Sequence, residues 1–277
     1  MADFKGIGKL VLPLAGAISV TIWIQILMLR QRGESPVPAR PHEPNSWPRG
    51  AGPRAFAAAF FLPWLIQLVA IYLLPGSGMN PTNRLVALLW LGTLTQIGAV
   101  VLLLYVEIAA PLKTVDFGLA IPIRWREDMV VGALGFVASL LPVYAVNLVV
   151  HLLGWHPPET QHKLLEILQG NHSGITVAGA VIAATCLAPL AEELLYRVVL
   201  QGGLERQISP TAALWLTAAL FAGVHSLSGR PDALPLFPLA LILGYTYLQT
   251  HSYVAVVTLH ALFNTFSVVM ALSGRAL

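Results

Sequence analysis

The sequence predicts an all-α, polytopic integral membrane protein of about eight transmembrane helices, with its chemistry inside the bundle. Three observations lead there. Of 277 residues, 56% are hydrophobic and only 10% charged, and mean hydropathy is +0.73. The apolar residues fall in blocks long enough to cross a hydrocarbon core of roughly 30 Å. A few ionisable residues sit inside those blocks, where a charge is costly and calls for an internal reason. A water-soluble domain of this length would need more charge to cover its surface.

The first block, Leu10 to Leu29, follows Lys5 and Lys9 as a signal peptide would. It is long, contains Pro13 and ends without a small-residue cleavage site, so a retained helix is expected. Arg30 to Arg54 includes P-V-P-A-R-P-H-E-P-N-S-W-P-R-G, the composition of an extended polar linker. Residues 1–54 therefore read as one helix and a linker, and residues 55–277 as the transmembrane core. Within the core the blocks are Ala55 to Leu74, Leu85 to Tyr105, Met129 to Leu153, Ile175 to about Leu200, Thr211 to Leu227, Pro235 to Thr250 and Val254 to Leu272. The sixth and seventh blocks of the whole chain are short for a straight crossing. P-P-E-T-Q-H-K-L-L-E-I-L-Q-G, from Pro157, reads as a short amphipathic connector helix with Leu164, Leu165 and Leu168 on one side. No internal repeat is found.

Charge reports orientation. With eight spans, Lys5, Lys9, Arg84, Lys163, Arg230 and Arg275 share one side, whereas Arg30, Arg32, Arg40, Arg49, Arg54, Lys113, Arg124, Arg126 and Arg206 share the other. The richer side is expected in the cytoplasm, which places the linker there and both termini outside. No basic patch is interleaved with aromatics, so nucleic acid is not an expected partner. The single cysteine, Cys186, excludes an intrachain disulfide and is expected to pack within its helix.

The fifth block ends in A-P-L-A-E-E-L-L-Y-R-V-V-L, residues 188–200, with two glutamates and an arginine in a lipid-compatible run. Each charge at membrane depth costs at least ~2.5 kcal/mol. Glu193 and Arg197 are spaced i, i+4 and can pair on one helical face. Glu192 lies about 100° around the helix and is left available. The sixth block carries F-A-G-V-H, which puts Phe221 and His225 on one face, and the eighth carries H-A-L-F-N, which does the same for His260 and Asn264. Counted from the linker-side ends of their helices, Glu192 lies about 16 Å deep, His225 about 21 Å and His260 about 12 Å, so the three can share a layer. Glutamate, two histidines and an asparagine supply a base for water, a group to orient it and donors for an oxyanion. No serine nucleophile elbow and no phosphate-binding G-x-x-x-x-G-K-[ST] loop is present.

In that order on successive late helices, E-E-L-L-Y-R, F-A-G-V-H and H-A-L-F-N resemble the E-E-x-x-x-R, F-x-x-x-H and H-x-x-x-N motifs of the CPBP family. These are the CAAX-protease and bacteriocin-processing (Abi) intramembrane endopeptidases, which include the Ras-converting CAAX endopeptidase. The motif region runs from about residue 175 to 269, and D-F-G-L-A-I-P-I-R-W-R-E-D-M from Asp116 resembles the lead-in to the family core. The resemblance implies an eight-helix fold with a cavity open to the cytosol. It implies Glu192 as the base, helped by His225, with His260 and Asn264 for the oxyanion. Glu193 with Arg197, and Phe221, have supporting roles. The implied substrate is a peptide or a membrane-anchored, CAAX-type protein. No cofactor is implied; the alternative is zinc held by Glu192, His225 and His260, although H-E-x-x-H is absent. Val198 stands where many members have glycine. Two other functions are compatible with these residues: a non-proteolytic membrane partner or immunity protein, and a proton-coupled transporter using Glu and His as a relay.

Overall fold

Apolar blocks of this length leave the backbone one way to satisfy itself in lipid, which is helix. The computed structural model describes residues 4–37, 39–41, 47–73, 81–108, 124–154, 173–226 and 233–272. Among them are eight helical rods: α1 (Phe4–Gln31), α2 (Ala51–Leu73), α3 (Pro81–Ile108), α4 (Trp125–Leu152), α5 (Gly174–Leu204), α6 (Pro210–Ser226), α7 (Ala233–Thr250) and α8 (Tyr253–Leu272). No strand occurs among the described residues. Four rods contain spans long and apolar enough to cross a membrane: Val11–Gln31, Trp125–Leu152, Gly174–Leu204 and Tyr253–Met270. The apolar stretches Pro210–His225 and Leu234–Thr250 are shorter. The connector from Pro157, the lead-in at residues 116–123, and Lys113, Lys163 and Arg230 lie outside the described residues.

Helix α5 is the hub, packing on α2, α3, α6, α7 and α8, while α1 lies against α4 and touches α8. The α1–α4 joint has a local cause. Pro142 within α4 lacks an N–H, which orphans the carbonyl of Ala138 four residues earlier. The Trp23 indole N–H of α1 donates to that carbonyl at 2.9 Å, and the Leu141 N–H donates to the Ser19 hydroxyl at 3.1 Å. Close approach of backbones sets the other side. A Cβ on Gly52 of α2 would lie 2.4 Å from the Val199 carbonyl oxygen, and one on Gly203 would lie 2.9 Å from the Gly52 Cα. Only glycine lets the helices meet this tightly.

The described parts of the proline-rich linker differ from the free, extended segment its composition suggests. Arg40 donates its backbone N–H to the Gln249 carbonyl at the end of α7, and its guanidinium pairs with Asp128 in the first turn of α4. Trp47 is buried in the core, and its carbonyl accepts from Arg206. A polar composition does not reveal such docking, because one buried indole, one salt-bridging arginine and one carbonyl that accepts from Arg206 suffice for it. Cys186, expected to pack, is exposed on the surface of α5.

Candidate active site

Helix α5 is continuous but not uniformly α-helical. It is α over Gly174–Ile182, π over Ala183–Leu187, α over Ala188–Glu193 and π again over Leu194–Gln201. The two glutamates therefore stand between wide turns, a placement common near functional sites. The first π turn has a traceable consequence. Ala188 N–H bonds to the Ala183 carbonyl five residues back. The next bond of that series would run from residue 189 to the Ala184 carbonyl, but residue 189 is proline and has no N–H. The Asn264 amide of α8 takes the place, donating to the Ala184 carbonyl at 2.8 Å.

Glu193 is fully buried, as is Arg197, whose Nε donates to Glu193 Oε2 at 3.1 Å. The remaining carboxylate oxygen, Oε1, faces His260 of α8, whose Nδ1 lies 2.7 Å away. The other imidazole nitrogen, Nε2, stands 3.8 Å from Glu192 Oε2. Thus His260 is flanked by both glutamates. The two carboxylates differ in access: the Glu192 side chain is 26% exposed and Glu193 is sealed. Sequence spacing had Glu193 committed to Arg197 and Glu192 facing the histidines; in the structure Glu193 makes the closer contact with His260.

Arg197 Nη1 and Nη2 are buried and make no hydrogen bond among the described residues. The Phe221 ring of α6 covers that end, 5.5 Å from the guanidinium carbon, and a cation held against an aromatic face is partly compensated. Phe221 is the common neighbour of the site, with its ring 4.6 Å from the His225 imidazole, 5.9 Å from His260 and 5.1 Å from Tyr196. Through it, His225 joins the cluster. His225 Nδ1 lies 2.7 Å from the Phe221 carbonyl, and an acceptor there makes Nδ1 the protonated nitrogen. In the neutral ring Nε2 then carries the lone pair. Val198, beside Arg197, is fully buried.

Two residues absent from the motif-based reading belong to this arrangement. The Tyr253 hydroxyl donates to the Leu190 carbonyl at 2.6 Å, one helical turn from Glu193. Its position seven residues before His260, on the same face of α8, is a signal the sequence carried. Gln201, fully buried, continues the i, i+4 series Glu193, Arg197, Gln201. As for a metal, no group of three His, Cys, Asp or Glu residues is gathered as ligands among the described residues. Of the trio Glu192, His225 and His260, each histidine has Nδ1 engaged, His260 by Glu193 and His225 by its own helix, which leaves Nε2 as the nitrogen either ring could offer to a ligand.

Residues 174–266 match the family model described as type II CAAX prenyl endopeptidase Rce1-like. This segment contains every motif residue named above and covers about a third of the chain. The match agrees with the family that the motifs resemble, and it indicates a protease. No curated protein and no solved structure matches the chain.

Proposed function

Because residues 174–266 carry an Rce1-like domain, we propose that this protein is an intramembrane endopeptidase that cleaves a membrane-associated, CAAX-type protein or peptide with water activated by Glu192. The observation that carries the reading is the contact of His260 with both glutamates in a layer reached by Phe221 and His225. Of the two carboxylates, only Glu192 is accessible enough to meet a water and a substrate.

In this reading Glu192 takes a proton from water as the water oxygen attacks the scissile carbonyl carbon. His225, with Nδ1 held by the Phe221 carbonyl, presents Nε2 to orient that water. The resulting oxyanion is met by His260 Nε2–H and by the second amide hydrogen of Asn264, the first being engaged with Ala184. This requires a His260 ring that donates from both nitrogens, and Glu193 supplies the acceptor on the Nδ1 side. The intermediate collapses by breaking the C–N bond, and the leaving amine receives the proton from Glu192. No metal takes part. The linker side is the cytoplasmic side, and substrate arrives from there.

The test is cleavage of a prenylated peptide and a panel of membrane-anchored proteins by purified protein in lipid vesicles. Glu192→Ala is expected to lower kcat by about 10²- to 10⁴-fold, the usual share of a general base, while chelators leave the rate unchanged. Cleavage that survives Glu192→Ala overturns the mechanism. A chain that cleaves nothing, yet co-purifies with one partner protein irrespective of Glu192→Gln, points to the non-proteolytic role.

A further inference from the structure

Two polar ladders climb the interior in opposite directions. Helix α5 carries Glu193, Arg197 and Gln201 four residues apart, with Glu205 four further on just past its end, and α6 carries Thr217, Phe221 and His225 at the same spacing. Their rungs meet in sequence: Thr217 Oγ1 lies 3.5 Å from Gln201 Oε1, and Phe221 lies over Arg197. One turn further along each helix in this antiparallel register come His225 on α6 and Glu193 on α5. A height set by that register is decided lower down, at the Thr217–Gln201 and Phe221–Arg197 rungs.

The strongest fixed point there is Gln201. Its Nε2 donates to the Gly244 carbonyl of α7 at 3.0 Å and to Glu205 Oε1 at 3.1 Å. Glu205 in turn lies 3.1 Å from His251 Nε2, in the turn between α7 and α8. The Thr217 contact is long and shares its one hydroxyl hydrogen with the Leu214 carbonyl at 3.1 Å, so the main tie runs from α5 to α7, on which α6 packs. A Cβ at Gly244 would lie 3.2 Å from Gln201 Oε1, 3.2 Å from Leu214 Cγ and 3.5 Å from Arg197 Nη1. The bare glycine thus lets α7 come close enough for its carbonyl to be reached.

We propose that Gln201, seated on Gly244, is a positioning residue that sets the height of His225 against Glu192. The proposal rests on the endopeptidase reading for its catalytic consequence but not for its geometry. Gln201 touches no reacting atom; it acts through α7 and α6. Misplacement of a catalytic group by about 1 Å costs on the order of 100-fold in rate.

The experiment compares wild type with Gln201→Met, which keeps length but loses the amide, and with the milder Gly244→Ala. Two readouts are taken on monodisperse protein: kcat and KM on a cleaved substrate, and the rate of His225 carbethoxylation by diethyl pyrocarbonate, resolved by mass spectrometry against exposed His151. The expected result is a kcat lowered about 10- to 100-fold with KM changed by no more than about threefold, together with an altered His225 labelling rate at constant His151 rate. Wild-type kcat in folded Gln201→Met overturns the proposal. So does a lower kcat with unchanged His225 labelling, which would mark Gln201 as a stabilising residue only. If Gln201→Met does not fold, Gly244→Ala carries the same comparison. If wild type cleaves no substrate, the endopeptidase reading falls, and the labelling ratio alone still decides whether Gln201 places His225.

Discussion

The same device appears twice in this molecule, once at the α1–α4 joint and once where α5 meets α8. In each, a proline removes an N–H, a carbonyl is orphaned, and a side chain from another helix repairs it: Trp23 on Ala138, Asn264 on Ala184. What differs is the donor. The indole has one N–H and spends it, whereas the carboxamide has two and keeps one. The surroundings differ as well. Ser19 and Ser139 are the buried polar side chains near the first joint, whereas Glu193, Arg197 and His260 line the second. A repaired proline break is therefore not in itself a sign of chemistry. It becomes one where the repairing group has capacity left over and ionisable partners stand beside it.

The largest effect expected from disturbing this contrast comes from the charges, which only the second joint has. Arg197→Met leaves the sealed Glu193 carboxylate with His260 as its remaining partner. Breaking a buried pair in this way costs about 3–5 kcal/mol, so a sharp fall in yield and in thermal midpoint in detergent is expected. Glu193→Gln in the same chain should recover part of the loss, because it removes the stranded charge. If Arg197→Met alone melts like wild type, the pair does not hold α5 in place.

Asn264→Ala should be felt next, and mostly in rate. It removes a tether and, in the proposed mechanism, a donor to the oxyanion, for which a loss of about 10²- to 10³-fold in kcat is expected. Thermal stability should fall by only about 1 kcal/mol, the net worth of one hydrogen bond. A variant that melts much earlier yet turns over normally would reduce Asn264 to the role Trp23 has.

How much of this was open to sequence reading differs between the two joints. Each of the eight blocks coincides with one of the eight rods, although the first rod begins at Phe4, six residues ahead of its block, and four of the rods carry spans long and apolar enough to cross a membrane. The stripes of Phe221 with His225, and of His260 with Asn264, were readable from i, i+4 spacing alone. The phase of Glu192 and Glu193 was not. An ideal α-helix gives both side chains definite directions, but α5 has a π turn on each side of them, and each wide turn takes up extra chain. The Trp23 repair was equally hidden, because it needs the pairing of α1 with α4, and nothing in either block specifies a partner helix. Pro142 and Pro189 announce that a carbonyl is orphaned without saying what reaches it.

The smallest effect isolates the device itself. Trp23→Phe keeps the aromatic packing of α1 and deletes one N–H, so it should leave kcat untouched and cost about 0.6 kcal/mol, the average worth of an interhelical hydrogen bond in a membrane protein. Pro142→Ala returns an N–H at residue 142, which lets α4 satisfy the Ala138 carbonyl from within. In that background the indole repairs nothing, so adding Trp23→Phe should cost nothing further, and the two changes should be non-additive by the full value of the bond. Additive behaviour in thermal or denaturant unfolding would mean that Trp23 holds α1 by packing alone. The corresponding change at the other joint, Pro189→Ala, frees Asn264 from Ala184 instead of making it redundant. An amide released from its anchor loses its aim, so this substitution should lower kcat while Pro142→Ala does not.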